Sequence, residues 1–198
     1  MYTEQSFTIP ALTGLSEQTI TEHKKLYAGY VKHANLIVEH MASLSEQGDV
    51  YTYETAELQR RFAFEWAGMR NHEIYFSLLE NATPVDTAPM LKKQIETQWG
   101  SIDGFISRFQ SLALTRGIGW AMLYWDTKTQ SLVLGWVDEQ HIGQLADCAI
   151  IIALDMWEHS YVADYQPSGK KQYVLDFISQ MNWSSAETNF VRAQRTNG

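Results

Sequence analysis

Followed by where apolar side chains recur, the chain changes period about midway. Phe7–Gly14 reads as extended, with Pro10 and Gly14 as punctuation. Ser16 is a predicted N-cap. From about Glu17 to about Ser45 the pattern is helical, with Leu26, Tyr30, His33, Ile37 and His40 three and four residues apart. Gln47-Gly48-Asp49 breaks it. A second helical pattern runs from Thr55 to about Glu80 through Leu58, Phe62, Glu65, Trp66, Met69, His72, Ile74, Tyr75 and Leu79. Two long helices joined by a short loop predict an antiparallel hairpin. The turn-forming run Asn81–Ala88 then marks a boundary, giving a helical-hairpin domain over residues 1–83 and a second domain over residues 88–198.

Beyond the boundary, Met90–Trp99 and Ile102–Leu114 predict two short amphipathic helices split by Gly100-Ser101. Trp120–Trp125 and Leu132–Val137 are rich in aromatic and β-branched residues around the turn cluster Asp126–Gln130, and predict a β-hairpin. Ala149–Leu154 predicts a third strand, buried on both faces. A last helix over about Tyr173–Met181 ends near Asn182-Trp183, leaving a polar tail. The expected class is α+β: an N-terminal antiparallel helical hairpin, then a three-stranded antiparallel sheet packed with helices.

Composition narrows the function. At 198 residues the chain suits one compact unit with two sub-domains. A net charge of −8, with no basic run longer than Lys-Lys, excludes a nucleic-acid binder. Seven Trp, 10 Tyr and 8 Phe suit either large cores and an oligomer interface or an aromatic shell around a reactive centre. The lone Cys148, beside Ala149 and a run of isoleucines, reads as a buried apolar residue and rules out an internal disulfide or a thiolate-rich metal site. Residues 1–5 carry no basic, apolar signal pattern, and Cys148–Leu154 is too short to span a bilayer, so the expected location is the cytoplasm, with no membrane partner.

The sharpest chemistry is Asp155-Met156-Trp157-Glu158-His159, which sets a carboxylate and an imidazole four residues apart at the end of an apolar run. His23 and His72, far upstream, could complete a site. Three imidazoles and one carboxylate suit manganese, iron or zinc.

At these residues the chain resembles the iron/manganese superoxide dismutase family. That family's Asp-x-Trp-Glu-His signature matches Asp155–His159, followed by Tyr161, Asp164-Tyr165, Tyr173 and Asn182-Trp183. Asn71-His72 with Tyr75-Phe76, Gly117-Ile118-Gly119-Trp120-Ala121, and Leu15-Ser16 leading to His23 are similar to its other motifs, in the same order. The resemblance implies His23, His72, Asp155 and His159 as ligands to one Mn or Fe per subunit, in trigonal bipyramidal geometry with solvent fifth. It implies Trp120 and Trp157 as walls of the site. It also implies a homodimer, open to further pairing into tetramers, in which Glu158 reaches the other subunit's His159. The family's outer glutamine, which holds the solvent ligand, comes from the hairpin region in manganese-type members and from the second helix in iron-type members. Gln140 fills the first position and Gly68 occupies the second, which leans towards manganese. His141 competes with Gln140, and Ala153, two before the aspartate, matches neither common type, so dual metal use stays open.

The first helix departs from the pattern. Tyr30-Val31 follows His23 by seven residues, where the family has eight. Aligning on the tyrosine puts Glu22 in the ligand column; aligning on Leu15-Ser16 puts His23 there. His23, Tyr27 and Tyr30 share one helical face, which favours His23. The family's gateway histidine falls on Leu26 and its tyrosine partner across the dimer on Val162, so proton delivery is expected to pass to Tyr27 or Tyr30. The closing-segment arginine is absent, with Lys170 or Lys171 as replacements, and Lys24, Lys25 and Lys170 are candidates for a positive funnel. The implied activity is ping-pong dismutation of superoxide to oxygen and hydrogen peroxide, with Gln140 and Tyr30 handling protons. The rivals are an inactive scaffold of the same fold and a zinc hydrolase, which would need a general base that no motif supplies.

Overall fold

A computed structural model describes residues 1–48 and 51–195. Helix α1 (Glu17–Glu46) starts where the Ser16 hydroxyl accepts the Thr19 N–H at 3.1 Å. Its buried residues Ile20, His23, Tyr27, Val31, Ala34, Ile37 and Leu44 form one stripe against α2 (Tyr53–Ser77). Of the predicted breaker, Gln47 caps α1 and Gly48 takes φ 85°, while Asp49 lies outside the described residues. Helix α2 stops three residues before the expected Glu80. The Ser77 hydroxyl donates to Ile74 O at 2.8 Å, and the Leu78 and Leu79 N–H groups tighten onto Tyr75 O and Phe76 O. Leu78 and Leu79 stay fully buried, which is why their periodicity reads as helix.

A 3₁₀ turn at Val85–Thr87 leads to α3 (Pro89–Trp99) and α4 (Ile102–Ala113), separated by Gly100 at φ 83°. The sheet follows as β1 (Gly119–Asp126), β2 (Ser131–Asp138) and β3 (Cys148–Asp155), antiparallel in the order β2-β1-β3. Central β1 is buried from Gly119 to Trp125. Its register sets Trp120 opposite Asp155 and Val137. Gly119 is required there, because a Cβ would stand 2.0 Å from Val137 O at φ 151°. Short helix α5 (Val162–Tyr165), then α6 (Lys170–Ser179) and α7 (Trp183–Arg195), complete the chain.

Three expectations are corrected. The polar tail is α7, a helix whose buried stripe is Trp183, Ala186, Phe190 and Ala193. Two of those four are alanines in a polar sequence, so the stripe is faint. Strand β3 is buried on both faces only over Ile151–Asp155; Cys148, Ala149 and Ile150 are half-buried because β3 is an edge strand. Cys148 is therefore a half-buried free thiol instead of a core residue. One hydrophobic cluster runs from Tyr27 and Val31 through Met69 and Tyr75 to Trp120, Leu154 and Phe177. Among the described residues no helix is long and apolar enough to cross a membrane.

Candidate metal centre

Four elements deliver four donor atoms to one point. His23 comes from α1, His72 from α2, Asp155 from the last position of β3, and His159 from the 3₁₀ turn Glu158–Ser160 that follows. Asp155 Oδ2 lies 3.1 Å from His23 Nε2, 3.1 Å from His159 Nε2 and 3.5 Å from His72 Nε2. All four donor atoms fall within 4.8 Å of one another. The side chains of His23, His72 and Asp155 are fully buried, and only His159 keeps an exposed edge, at 24%. His23 and Glu22 are thereby separated: Glu22 is exposed and pairs with Lys25 Nζ at 2.7 Å.

Each donor is aimed by a further contact. His72 Nδ1–H donates to Gly68 O at 2.6 Å, which leaves Nε2 as the lone-pair nitrogen facing the cluster. Asp155 Oδ1 accepts the Trp157 N–H at 2.8 Å, leaving Oδ2 for the three imidazoles. The Asp155 carbonyl accepts from Ser160 Oγ at 3.0 Å and from Tyr173 Oη at 2.9 Å, with Tyr75 Oη 3.2 Å beyond. Burial pushes the Asp155 carboxyl upward, but His159 and His23 prevail and hold it well below the usual carboxylate range. Burial outweighs Asp155 at both inner histidines, lowering His23 and taking His72 down to about 3.

These protonation states make the cluster incomplete as protein alone. At neutral pH an ionised carboxylate faces a neutral imidazole whose lone pair has no proton to meet. His72 Nε2 is buried and has no hydrogen-bond partner. A cation resolves the conflict. The donor set is three nitrogens and one oxygen with no thiolate, which fits a first-row metal of intermediate hardness. Four donors at about 2.1 Å from a common centre span up to about 4.2 Å, so small side-chain movements close this cluster onto an ion.

The walls are aromatic. Trp120 meets His72 edge-on at 5.0 Å, and Trp157 stacks on His159 at 5.8 Å. Trp157 Nε1–H is fixed by Glu139 O at 3.0 Å. Gln140, fully buried, comes from the loop after β2, where Glu139 adopts φ 51° and Asp138 bridges Ile142. Its Oε1 accepts Trp120 Nε1–H at 2.9 Å, its Nε2 donates to Tyr30 Oη at 3.0 Å, and its carbonyl accepts from Asn71 Nδ2 at 2.8 Å. Tyr30 packs 5.1 Å from His72.

Other expected residues lie elsewhere. Tyr27 Oη accepts the Gln5 N–H at 2.9 Å and meets Glu73 Oε1 at 3.3 Å, away from Gln140. His141 turns its ring to Phe64 at 5.8 Å and lines a separate apolar groove with Trp66 and Cys148. Lys24 Nζ donates to Phe7 O and Lys170 Nζ to Thr115 O. Lys171 and Glu158 are exposed, Leu26 is 41% exposed, and Val162 is half-buried. Gly68 has no room for a glutamine, since even a Cβ would sit 2.6 Å from Tyr30 Cδ1.

A cleft of about 660 Å³ reaches this centre from the surface past Leu26, Arg61 and Phe64 to Tyr30, Trp157 and His159. The prominence of Arg61 and Phe64 was not visible as a motif. The signal available is a face of α2: Arg61, Glu65, Gly68 and His72 follow at four, three and four residues.

Fold and site together define an α+β protein with a candidate metal centre whose four donor residues are shared between a helical hairpin and the end of a sheet. Residues 87–189 match the family model for iron/manganese superoxide dismutases, C-terminal domain. The chain is 34% identical over 187 residues to the superoxide dismutase [Fe] of Cupriavidus metallidurans, covering 93% of this chain and 92% of the relative. It is 30% identical over 180 residues to the superoxide dismutase [Fe] of Tetrahymena pyriformis, covering 86% and 89%. It is also 29% identical over 205 residues to the mitochondrial superoxide dismutase [Mn] of Aspergillus fumigatus, covering 96% and 95%. The chain belongs to the iron/manganese superoxide dismutase family.

Proposed function

We propose that this chain is a superoxide dismutase, converting two superoxide ions to oxygen and hydrogen peroxide, with His23, His72, Asp155 and His159 holding one Mn or Fe. The observation that carries this is the buried lone pair of His72 Nε2 facing the ionised Asp155 with no proton between them. A metal held by these four residues would supply the one-electron couple that the oxidation of one superoxide and the reduction of another require, with two protons completing hydrogen peroxide. The two predicted domains, residues 1–83 and 88–198, each contribute two ligands. Trp120 and Trp157 exclude bulk water from the donors. Gln140 is immobilised at both ends of its amide, which leaves one amide N–H to hold a neighbouring oxygen. Burial pushes the Tyr30 hydroxyl well above its usual range, so it stays protonated and keeps a proton at Oη between the cleft and Gln140. His141, on the far side of Phe64, takes no part.

Manganese is the metal we favour. Gln140 arrives from the sheet side, and the close approach of Tyr30 to Gly68 shuts out the alternative position on α2. Exposed Glu158, next to His159, suits contact with a second copy beside the cleft, so the reading includes a homodimer in which Glu158 meets the other subunit's His159, with tetramers a further step. A single cysteine suits the cytoplasm.

The test is dismutase activity of protein loaded separately with manganese and iron, with bound metal quantified. The expected result is one ion per chain, activity highest with manganese, and a melting temperature that falls when the metal is stripped. Stoichiometric metal without activity in either form, or no metal uptake, overturns the reading.

A further inference from the structure

The chain's charge of −8 opposes the approach of an anion at long range, so the cations that face the cleft govern how superoxide arrives. Lys24 and Lys170 are bound to backbone carbonyls away from it. Lys25 borders the cleft but is paired with Glu22, both ends widely exposed. Arg61 is different. Its Nε and one terminal nitrogen both donate to Glu65 Oε1, at 2.8 and 2.7 Å. Its guanidinium carbon lies 3.9 Å over the Phe64 ring. Two restraints therefore fix the plane of the group, while Nη1 makes no hydrogen bond among the described residues. The pair is also asymmetric: the Arg61 side chain is 52% exposed and that of Glu65 only 8%. An anion entering the cleft meets the positive end first.

Building on the dismutase reading, we propose that Arg61 is the steering residue that draws superoxide into the cleft, tethered at its mouth by Glu65 and Phe64. Glu65 limits the attraction while fixing its position. This assigns to α2 the charge that the sequence suggested for lysines on α1 and α6.

The test compares Arg61→Gln, Arg61→Lys and Glu65→Gln in the metal-loaded enzyme, reading kcat and kcat/KM against ionic strength. A unit charge acting on a monoanion across about 8 Å of water changes its local concentration roughly 2- to 3-fold, an effect that salt removes. Arg61→Gln is expected to lower kcat/KM by about that factor at low salt, Glu65→Gln to raise it by about as much, and Arg61→Lys to leave it unchanged, with kcat constant throughout. A purely structural ion pair would instead lower both Arg61→Gln and Glu65→Gln. That result, or an Arg61→Gln rate equal to the parent at low salt, overturns the proposal. Iodide quenching of Trp157, taken as the difference from the matching Trp157→Phe proteins and normalised to acrylamide, reads the same field without turnover. It is expected to fall in Arg61→Gln and rise in Glu65→Gln. A parent enzyme without dismutase activity would sink the functional reading, while the quenching would still decide whether Arg61 gathers anions; unchanged quenching counts against it.

Discussion

Replacing Gly68 by alanine sets two opposed effects against each other, and the structure decides the sign. Gly68 is a buried mid-helix residue on α2, one turn before His72. Helix propensity alone favours alanine by about 1 kcal/mol. The new Cβ, however, would stand 2.6, 2.8 and 2.9 Å from Cδ1, Cε1 and Cγ of Tyr30. Those are atoms at the root and edge of a ring packed against Phe64 at 5.9 Å and His72 at 5.1 Å, so it cannot swing aside freely. Overpacking of this kind costs about 1–3 kcal/mol. Displacing Tyr30 also breaks its hydrogen bond from Gln140 Nε2, worth about 1 kcal/mol. The net expectation is a loss of about 1–3 kcal/mol, seen as a lower urea midpoint for the metal-loaded protein, together with reduced turnover. In a Tyr30→Ala background the clash vanishes, and the same substitution should stabilise by about 1 kcal/mol, giving a double-mutant cycle of opposite signs. Stabilisation by Gly68→Ala with Tyr30 present, and activity intact, would refute the claim that the ring presses on the glycine.

Two further outcomes follow from contacts away from the centre. Phe190→Ala should cost about 3–5 kcal/mol in chemical denaturation, because Phe190 is buried and meets Trp125 edge-on at 5.1 Å; a cost below about 1 kcal/mol would mean that α7 is not part of the core. Asp164 accepts the Ser16 N–H at 2.9 Å and ties the start of α1 to α5; burial works against its charge, but hydrogen bonds from Thr19 and Ser16 win and lower its pKa. Its contribution is therefore present above the unfolded carboxylate pKa of about 4 and lost as pH falls through the lower folded value. Asp164→Asn should cost a few tenths of a kcal/mol at pH 7, small because the group is exposed and screened, and the gap to the parent should close once the pH has fallen through the lowered folded value. A gap that persists in acid would show that the charge is not what matters.

Local sequence carried much of this protein. Period and capping marked α1 and α2, because a stripe three and four residues apart and a Ser16 hydroxyl act within a few turns. The aromatic and β-branched run Trp120–Trp125 and its turn marked the hairpin for the same reason. Asp155 and His159 were legible together, since one short segment carries both. Other features depended on distant partners. Whether Glu22 or His23 faces the centre is a rotation of about 100° on one helix, and it is fixed only by packing α1 against α2 and β3. The side chains of Gln140 and His141 part company after a positive φ at Glu139, one lying on Trp120 and Tyr30 and the other on Phe64, which no local pattern marks. The helix α7 escaped notice because its alanines bury little area of their own and gain their place from the sheet they cover. The lysines proposed for the funnel have the right charge in sequence, but Lys24 and Lys170 are held by the Phe7 and Thr115 carbonyls, contacts 17 and 55 residues away along the chain, and Lys25 is paired with Glu22. Charge is a property of the residue. Where it acts is settled by the partners that folding brings to it.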